Sequence, residues 1–313
     1  MSTRVAALTL AALASAPCTP AIAWNDTGHQ VVALIAWEQM PAPLRSALIA
    51  AMRRATPDSG LPGLFAQDRR RLDAREREFF RRAATWPDLI RDVPAFHHPT
   101  WHHRDFYWKW DRGRVVDLPD VQVNAENLLE RLAHFRQRLA DPTIAGPDRA
   151  VTIAWVLHLV GDVHQPEHCS ARVTAAEPFG DPGGNDFKLA LRPPPNPERV
   201  RQSLHAYWDE AIEAAFRRQP GETATAYLER SARLIMARHP RTLLERDLAP
   251  GEFDVWARES LVAAQAAYPP TLLRNRAPSP AYRSMVVEVA RRRAALAGYR
   301  LALLLQEVSS PRR

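Results

Sequence analysis

Two pairs of histidine and aspartate, each pair four residues apart, are the features that most constrain this chain. They are His158 with Asp162, in His-Leu-Val-Gly-Asp, and His205 with Asp209, in His-Ala-Tyr-Trp-Asp; His168 lies between them. Residues four apart on an α-helix lie one above the other on one face. Each pair therefore places an imidazole beside a carboxylate, as divalent metal sites do. A single such pair is more often a local hydrogen bond, but two pairs with a further histidine predict a site for several metal ions.

Apolar residues at three- and four-residue intervals predict an all-α fold. The predicted helices cover residues 28–40, 43–54, 68–85, 121–140, 149–164, 200–217, 222–237, 253–267 and 280–308. Segments rich in proline and glycine separate them and predict loops, not interdomain linkers. One alternating segment, residues 186–192, predicts an arm of a short β-ribbon. The 313 residues, 46% of them hydrophobic, can bury a sizeable core. We expect residues 24–313 to form a single mainly helical domain with at most this ribbon.

The first 23 residues have the features of a secretory signal peptide. Arg4 supplies the positive start, residues 5–16 the apolar stretch, and Ala21-Ile22-Ala23 a cleavage site of small residues. Cleavage after Ala23 makes Trp24 the new N-terminus, and we expect a secreted or periplasmic protein. A lipid anchor on Cys18 is the alternative, but proline precedes this cysteine where a small residue is expected. No other apolar run approaches the ~20 residues of a membrane span, so no stable membrane association is expected.

The net charge favours an anionic substrate. The chain carries +7, and loss of the signal peptide removes only Arg4 and leaves +6. Such a balance attracts polyanions through a long-range field, although many secreted basic proteins bind no nucleic acid. Cys169 is the one cysteine after the predicted cleavage site, so no intramolecular disulfide can form. The fold must therefore be stabilised without a disulfide bond.

Further potential metal ligands precede the two central pairs. Asp88 stands in Trp-Pro-Asp, and His102 and His103 follow Trp101 in Trp-His-His-Arg-Asp. His29 lies five residues after Trp24. If Trp24 is the N-terminus, its α-amino group and carbonyl oxygen can chelate a metal ion, because an α-amino group has a pKa near ~7.7–8.0 and loses its proton readily to a metal.

In this order, the residues resemble the S1/P1 nuclease family of secreted trinuclear zinc enzymes. The pattern is an N-terminal Trp, a His five later, Trp-x-Asp, Trp-His, His-x-x-x-Asp-x-x-x-x-x-His and His-x-x-x-Asp, and the likeness extends to the helix at 297–305. It implies an all-α, mainly helical domain of the S1/P1 nuclease or zinc phospholipase C type with three Zn²⁺ per chain. The implied ligand sets are Asp88, His102, His158 and Asp162 for one zinc; Trp24, His29 and the shared Asp162 for a second; and His168, His205 and Asp209 for the third.

The resemblance also implies residues that contact the substrate. Arg91 matches a basic residue against the scissile phosphate, and Asp105 matches a carboxylate near the nucleobase or the attacking water. The Gly-Gly-Asn loop at 183–185 helps to line the site, with Gly184 and Asn185 expected to bind the substrate and Asn185 reaching toward it. Each has a structural alternative. Arg91 could cap a helix, Asp105 could pair with its neighbour Arg104, and Asn185 could satisfy a turn.

The chain departs from the family pattern at His103, where many relatives have an aromatic residue that stacks on a base. We expect His103 to contact the substrate. It could also replace His102 as the metal ligand, although the position directly after Trp101 favours His102. The remaining histidines fit no ligand position and are expected to be structural; they are His97, His98, His134, His164 and His239. The absence of a disulfide departs from eukaryotic relatives and indicates a bacterial-type member.

The implied function is that of a zinc-dependent endonuclease and 3′-nucleotidase acting on single-stranded DNA, RNA and nucleotides, with no obligate protein partner. Asp162 would bridge two zinc ions that supply a zinc-bound hydroxide for attack on phosphorus, leaving 5′-phosphates. Zinc-dependent bacterial phospholipases C also resemble this pattern, but their longer Trp-to-His interval and final Glu favour the nuclease for a chain with Trp24, His29 and Asp209. A non-catalytic exported zinc-binding protein needs the same ligands but no open coordination position.

Overall fold

The computed structural model describes residues 24–66, 71–119, 125–190 and 201–310. Several predictions fall outside the described residues: they are the signal peptide, the helical residues 68–70, 121–124 and 200, and the end of the ribbon arm at 191–192. Helices predominate, which confirms the predicted mainly helical fold. The α-helices of the described residues are α1 (Asp26–Gln39), α2 (Ala42–Met52), α3 (Leu61–Ala66), α4 (Leu72–Ala83), α5 (Trp86–Leu89), α6 (Leu128–Ala140), α7 (Gly146–Asp162), α8 (Leu204–Asp209), α9 (Ala211–Ala215), α10 (Ala224–Arg238), α11 (Arg241–Leu244), α12 (Phe253–Ala267) and α13 (Pro280–Ser309). None of these helices combines the length and the apolar character needed to cross a membrane.

Two small sheets accompany the helices. The strands are β1 (Tyr107–Asp111), β2 (Arg114–Asp117), β3 (Ala171–Arg172), β4 (Asp181–Pro182), β5 (Lys188–Ala190) and β6 (Arg201–Ser203). The predicted ribbon is present, because β5 pairs with β6 in antiparallel register. The other sheet, of order β2-β1-β3-β4, was not predicted from the sequence. Its strands are two to five residues long, too short for a two-residue periodicity to be recognised.

Helix α1 lies at the centre of the molecule. Its residues from Val31 to Trp37 are buried on every side, as expected of a helix that is apolar around its circumference. It packs against α13, α10, α4 and α7. Gly298 of α13 allows the closest approach, since a side chain there would collide with Ile35. The core therefore brings the N-terminal and C-terminal helices together.

The predicted helix at 200–217 is wrong in its first part and interrupted in its second. Residues 201–203 form β6, and Ser203 then begins α8 by accepting a hydrogen bond from Ala206 N through its hydroxyl (3.1 Å). A serine at this position stabilises a helix start and interrupts a continuous helix. Glu210 separates α8 from α9. The predicted helix at 68–85 ends as α4 at Ala83, and Asp88 follows it in a short separate helix, α5, that starts at Trp86 with Pro87 in its first turn.

Two buried arginines of α13 hold the C-terminal end of α7. Arg300 donates to both carboxylate oxygens of Glu259 (2.8 Å each) and to His164 Nε2 (2.8 Å). Arg293 donates to the carbonyls of His164 (3.2 Å) and Val163 (3.4 Å). These carbonyls lie at a helix C-terminus, where positive charge is favourable. The network begins one residue after Asp162, and His164 takes the structural place expected of it.

We predict that Arg300→Leu lowers the free energy of unfolding by about 1–3 kcal/mol, because its removal takes a donor from the buried Nε2 of His164 and leaves the carboxylate of Glu259, which is 30% exposed, with fewer donors. The matched control is Arg292→Leu on the same helix, whose partner Asp247 is 43% exposed, and there we expect a loss of less than about 1 kcal/mol. Urea unfolding of both variants checks this. Equal losses of unfolding free energy in the two variants would show that the contacts of Arg300 stabilise the fold no more than an exposed ion pair does.

Candidate metal centre

The structure brings all eight predicted side-chain ligands into three groups. Within each group the potential ligand atoms lie within 4.8 Å of one another. The groups are His29, Asp88 and His158; His102, His158 and Asp162; and His168, His205 and Asp209. His102 belongs to a group and His103 does not, which favours the ligand choice made from the sequence. Because His158 belongs to two of the groups, those two are adjacent.

Helices position each of these side chains. Helix α1 carries His29, α7 carries His158 and Asp162, and α8 carries His205 and Asp209. Asp88 lies on α5, and short 3₁₀ helices, Pro99–His102 and Pro166–Cys169, end at or next to His102 and His168. The helical i, i+4 geometry expected for both His-Asp pairs is present, since Nε2 of His158 lies 3.3 Å from Asp162 Oδ2 and Nε2 of His205 lies 3.5 Å from Asp209 Oδ2.

The carboxylate of Asp162 lies at the centre of the first two groups. Besides His158, it faces His29, whose Nε2 is 3.2 Å from Oδ1, and His102, whose Nδ1 is 3.1 Å from Oδ2. Asp162, His29 and His158 are completely buried. The rings of His29 and His158 stack with centroids 3.9 Å apart. One carboxylate thus contacts three imidazoles on two sides, which is the placement expected of a bridging ligand.

Backbone carbonyls orient three of the imidazoles. The Nδ1–H of His158 donates to Ala84 O (2.8 Å), that of His168 to His102 O (2.5 Å) and that of His205 to Gly183 O (2.7 Å). A carbonyl can only accept, so Nδ1 carries the proton and Nε2 is left with a lone pair. Metal-binding histidines commonly hold their second nitrogen in this way.

The electrostatics favour neutral imidazoles and disfavour bare carboxylates. Burial lowers the pKa of His29 and His168 well below the ordinary value and lowers that of His102 to about 4. Burial also raises the pKa of Asp162 and Asp209 well above the ordinary range. Neutral imidazoles present free lone pairs, and a buried carboxylate is stable when ionised only beside a cation.

Several buried polar atoms of these groups have no hydrogen-bond partner within the part of the chain that the structure describes. They are both ring nitrogens of His29, Oδ2 of Asp88, Oδ1 of Asp162 and Nε2 of His168. Buried polar atoms are nearly always paired, so such a concentration needs an explanation. A divalent cation supplies it, because each of these side chains offers an oxygen or nitrogen lone pair; the neutral imidazole of His29 offers one, on the ring nitrogen that carries no proton. The donor set therefore fits bound metal ions.

The start of the described chain lies against the same cluster. Trp24 is fully buried, and Asn25 N donates to the carbonyl of Asp209 (3.3 Å). Gly28 permits this arrangement, since a Cβ at that position would lie 2.7 Å from Cβ of Trp24. The close approach accords with the ligand role expected of Trp24.

Two residues that support the metal ligands were not predicted from the sequence. Gln165 is buried and donates from Nε2 to Asp209 Oδ1 (2.7 Å), while its side-chain oxygen accepts from Glu167 N (2.5 Å). Gly161 lies so close to the ring of His29 that a Cβ there would lie 2.5 Å from Nδ1. Only the positions of these two residues in the sequence could have indicated their roles, because Gly161 directly precedes Asp162 and Gln165 stands between two expected ligands.

A cavity of about 370 Å³ opens above the cluster. Seven of the residues predicted to form the site line it, namely Arg91, His102, His103, Asp105, His168, Asn185 and His205. Pro182, Gly183 and His97, a histidine expected to be only structural, line it as well. Asp162, His158 and His29 are completely buried and do not line it. The site therefore has buried ligands beneath a cavity whose wall carries a few polar and basic side chains.

The expected substrate-contacting residues also have internal partners. Arg91 donates from Nη2 to Asp88 Oδ1 (2.5 Å), and Asn185 donates from Nδ2 to the carbonyl of Pro182 (2.9 Å), as the turn alternative predicted. Asp105 pairs with His103 Nδ1 (3.4 Å); burial lowers the pKa of His103, but this contact outweighs it and raises the pKa.

Gly184 lies outside the cavity lining. A Cβ there would approach the hydroxyl of Tyr268 (3.0 Å) and Oε2 of Glu167 (3.2 Å), and its φ is +73°. Its position therefore suits close packing and a left-handed backbone conformation, which glycine adopts easily. The loop expected to line the site does so through Gly183 and Asn185, and the substrate-binding role expected of Gly184 stays a prediction.

We predict that Gly161→Ala reduces bound metal and destabilises the protein by about 1–3 kcal/mol, because the new methyl group displaces His29. The control is Gly63→Ala in α3, where a Cβ meets nothing within 4 Å. There the higher helix propensity of alanine predicts a change of up to about 1 kcal/mol in the stabilising direction. Metal analysis and thermal unfolding distinguish the two. Unchanged metal content in Gly161→Ala would argue against His29 as a ligand.

Sequence comparison agrees with this geometry. A profile described as S1/P1 Nuclease matches residues 24–310. Two Arabidopsis thaliana proteins are similar over part of the chain. Endonuclease 3 is 23% identical over 208 residues, which cover 61% of this chain and 55% of that protein; Endonuclease 4 is 23% identical over 214 residues, which cover 61% and 56%. The match thus spans little more than half the length of these curated relatives. Because the family profile covers the described chain from end to end, the chain belongs to the S1/P1 nuclease family.

Proposed function

We propose that this protein is a zinc-dependent endonuclease and 3′-nucleotidase that cleaves single-stranded DNA and RNA and leaves 5′-phosphates. The observation that supports this most directly is the set of three buried His and Asp groups beneath a cavity of about 370 Å³. Family membership independently favours a phosphodiester-hydrolysing enzyme. The endonuclease names of the two Arabidopsis relatives agree with it.

The donor set favours zinc, which binds imidazole nitrogen and carboxylate oxygen readily. We assign one zinc to Asp88, His102, His158 and Asp162, a second to Trp24, His29 and the shared Asp162, and a third to His168, His205 and Asp209. Bound zinc lowers the pKa of a coordinated water and stabilises negative charge on phosphate oxygens. Asp162 orients the first two sites relative to each other, because its two oxygens face different histidines.

The chain's own residues bind and orient the phosphate. Arg91 is 24% exposed at the cavity wall, and its guanidinium is fixed by Asp88 while several of its donors remain for non-bridging phosphate oxygens. A guanidinium held in this way stabilises charge that develops in phosphoryl transfer. His103, Asp105 and Asn185 present polar groups elsewhere on the wall and are suited to recognising the base and sugar.

The depth at which the metal ligands are buried favours single-stranded substrates over duplexes. The central ligands are completely buried, so a phosphate must enter the cavity to approach them. The backbone of an intact duplex is held by stacking and pairing, and a single strand deforms at lower cost. We therefore assign single-stranded nucleic acids as the main substrates.

We further propose that the protein is secreted or periplasmic and that cleavage after Ala23 exposes Trp24. The burial of Trp24 beside Asp209 supports a functional N-terminus at this position. The free, buried Cys169 supports the bacterial-type assignment.

Protein beginning at Trp24 should cleave a single-stranded oligonucleotide, lose activity with a chelator, and regain it with zinc. A matched duplex should react roughly 10- to 100-fold more slowly, since unpairing costs a few kcal/mol. Asp162→Asn should lower the rate by at least about 100-fold, whereas Asp117→Asn, an exposed carboxylate bonded to Gln265, should leave it unchanged. Mass spectrometry identifies the phosphate position. Absence of cleavage by zinc-loaded protein would refute the proposed function.

Additional residues before Trp24 should abolish one metal site. A protein that retains one extra alanine ahead of Trp24 should bind one zinc fewer and lose most activity, because its first amine no longer belongs to Trp24 and the buried position leaves little room. An extension at the C-terminus is the control. Full activity and metal content in the N-terminally extended protein would exclude Trp24 as a ligand.

A further inference from the structure

Phe179 is the most exposed large hydrophobic residue of the described chain. Its side chain is 80% exposed, although aromatic rings contribute most to stability when they are buried. It stands at the tip of a turn between β3 and β4 and takes no part in the metal centre. An aromatic ring presented to solvent beside a nucleic-acid site is suited to stacking on an unpaired base.

The turn that presents Phe179 is rigidly held. Thr174 and Glu177 exchange two backbone hydrogen bonds (3.1 and 3.2 Å), and the Thr174 hydroxyl donates to the Glu177 carboxylate (2.9 Å). The following Gly180 has φ +89° and packs so closely on Tyr107 that a Cβ would lie 3.2 Å from its ring. The ring of Phe179 is therefore exposed by a well-defined backbone, not by a loose loop.

This turn lies beside the cavity. Phe179 precedes the cavity-lining Pro182 by three residues, a distance of at most ~11 Å along an extended chain. Arg274 connects the two segments, because its guanidinium pairs with Glu177 of the turn and donates to the carbonyl of Asp186, the residue after Asn185. Arg274 therefore holds the turn that carries Phe179 next to the loop that carries the cavity-lining Asn185.

Two basic side chains belong to these neighbouring segments, and Glu177 offsets part of the charge of Arg274. Lys188 is exposed and donates from Nζ to the carbonyl of Asn185 (2.5 Å). Arg274 is 37% exposed. Single-stranded nucleic acids are bound by such a combination, in which cations follow the phosphates and an aromatic ring stacks on a base.

We propose that Phe179 is a stacking platform for a base of the single strand outside the catalytic cavity, with Lys188 and Arg274 attracting the adjoining phosphates. This inference rests on the proposed function and adds a binding position beyond the cleaved phosphodiester. It makes the enzyme more efficient on strands long enough to reach Phe179 than on substrates confined to the cavity.

The test compares Phe179→Ala with the unmodified protein, both beginning at Trp24 and loaded with zinc. The substrates are an oligonucleotide of about 12 nucleotides, within the ~4–16 that one binding site covers, and a dinucleotide. We expect kcat/KM to fall about fivefold or more on the oligonucleotide, mainly through KM, and to stay unchanged on the dinucleotide. Phe179→Trp should retain the efficiency. Leu243→Ala, which truncates another exposed side chain (76%), should change neither substrate.

The outcomes distinguish a failure of the proposed function from a failure of the stacking platform. If the unmodified protein cleaves neither substrate, the proposed function fails. If it cleaves the oligonucleotide and Phe179→Ala does so equally well, the function stands and the stacking platform is refuted. An equal loss on both substrates, with a lowered thermal unfolding temperature, would assign Phe179 a structural role and also refute the platform.

Discussion

The arrangement of the metal centre depends on the burial of one carboxylate. Asp162 is completely enclosed and lies within 3.3 Å of nitrogens of His29, His102 and His158. An ionised carboxylate without a counter-charge is very unfavourable in such surroundings, and burial accordingly raises its pKa. His29 and His102 are poorly suited to supply the charge, because burial lowers the pKa of both imidazoles. Bound cations supply the counter-charge that Asp162 needs and accept the lone pairs of the neutral imidazoles.

The fold provides a rigid frame for this cluster. The apolar helices α1 and α7 carry its central residues, and glycines at 28 and 161 let Trp24 and His29 approach closely. Arg293 and Arg300 hold the end of α7 directly after Asp162. Gln165 then fixes Asp209 in the neighbouring group. Packing and hydrogen bonding thus determine the spacing of the ligands, as a pre-organised metal site requires.

Much of the site could be predicted from the sequence because its ligands occur in short motifs. His158 with Asp162 and His205 with Asp209 needed only helical periodicity, and the ring of His102 was separated from that of His103 by its position after Trp101. Other features depend on contacts between distant segments. The sheet of β1 to β4 is built from strands too short to show a pattern, and the role of Gly161 depends on the approach of α1. Which residues of the 183–185 loop line the cavity also depends on packing, since Gly184 packs closely on Tyr268 while its neighbours line the cavity.

The most direct test of a multinuclear metal centre is anomalous diffraction from crystals of the protein beginning at Trp24, recorded on both sides of the zinc absorption edge. We expect three zinc peaks: one among Asp88, His102 and His158, one beside Trp24 and His29, and one among His168, His205 and Asp209. The first two should lie on opposite oxygens of Asp162. Zinc-saturated crystals without a peak in contact with Asp162 would contradict the account.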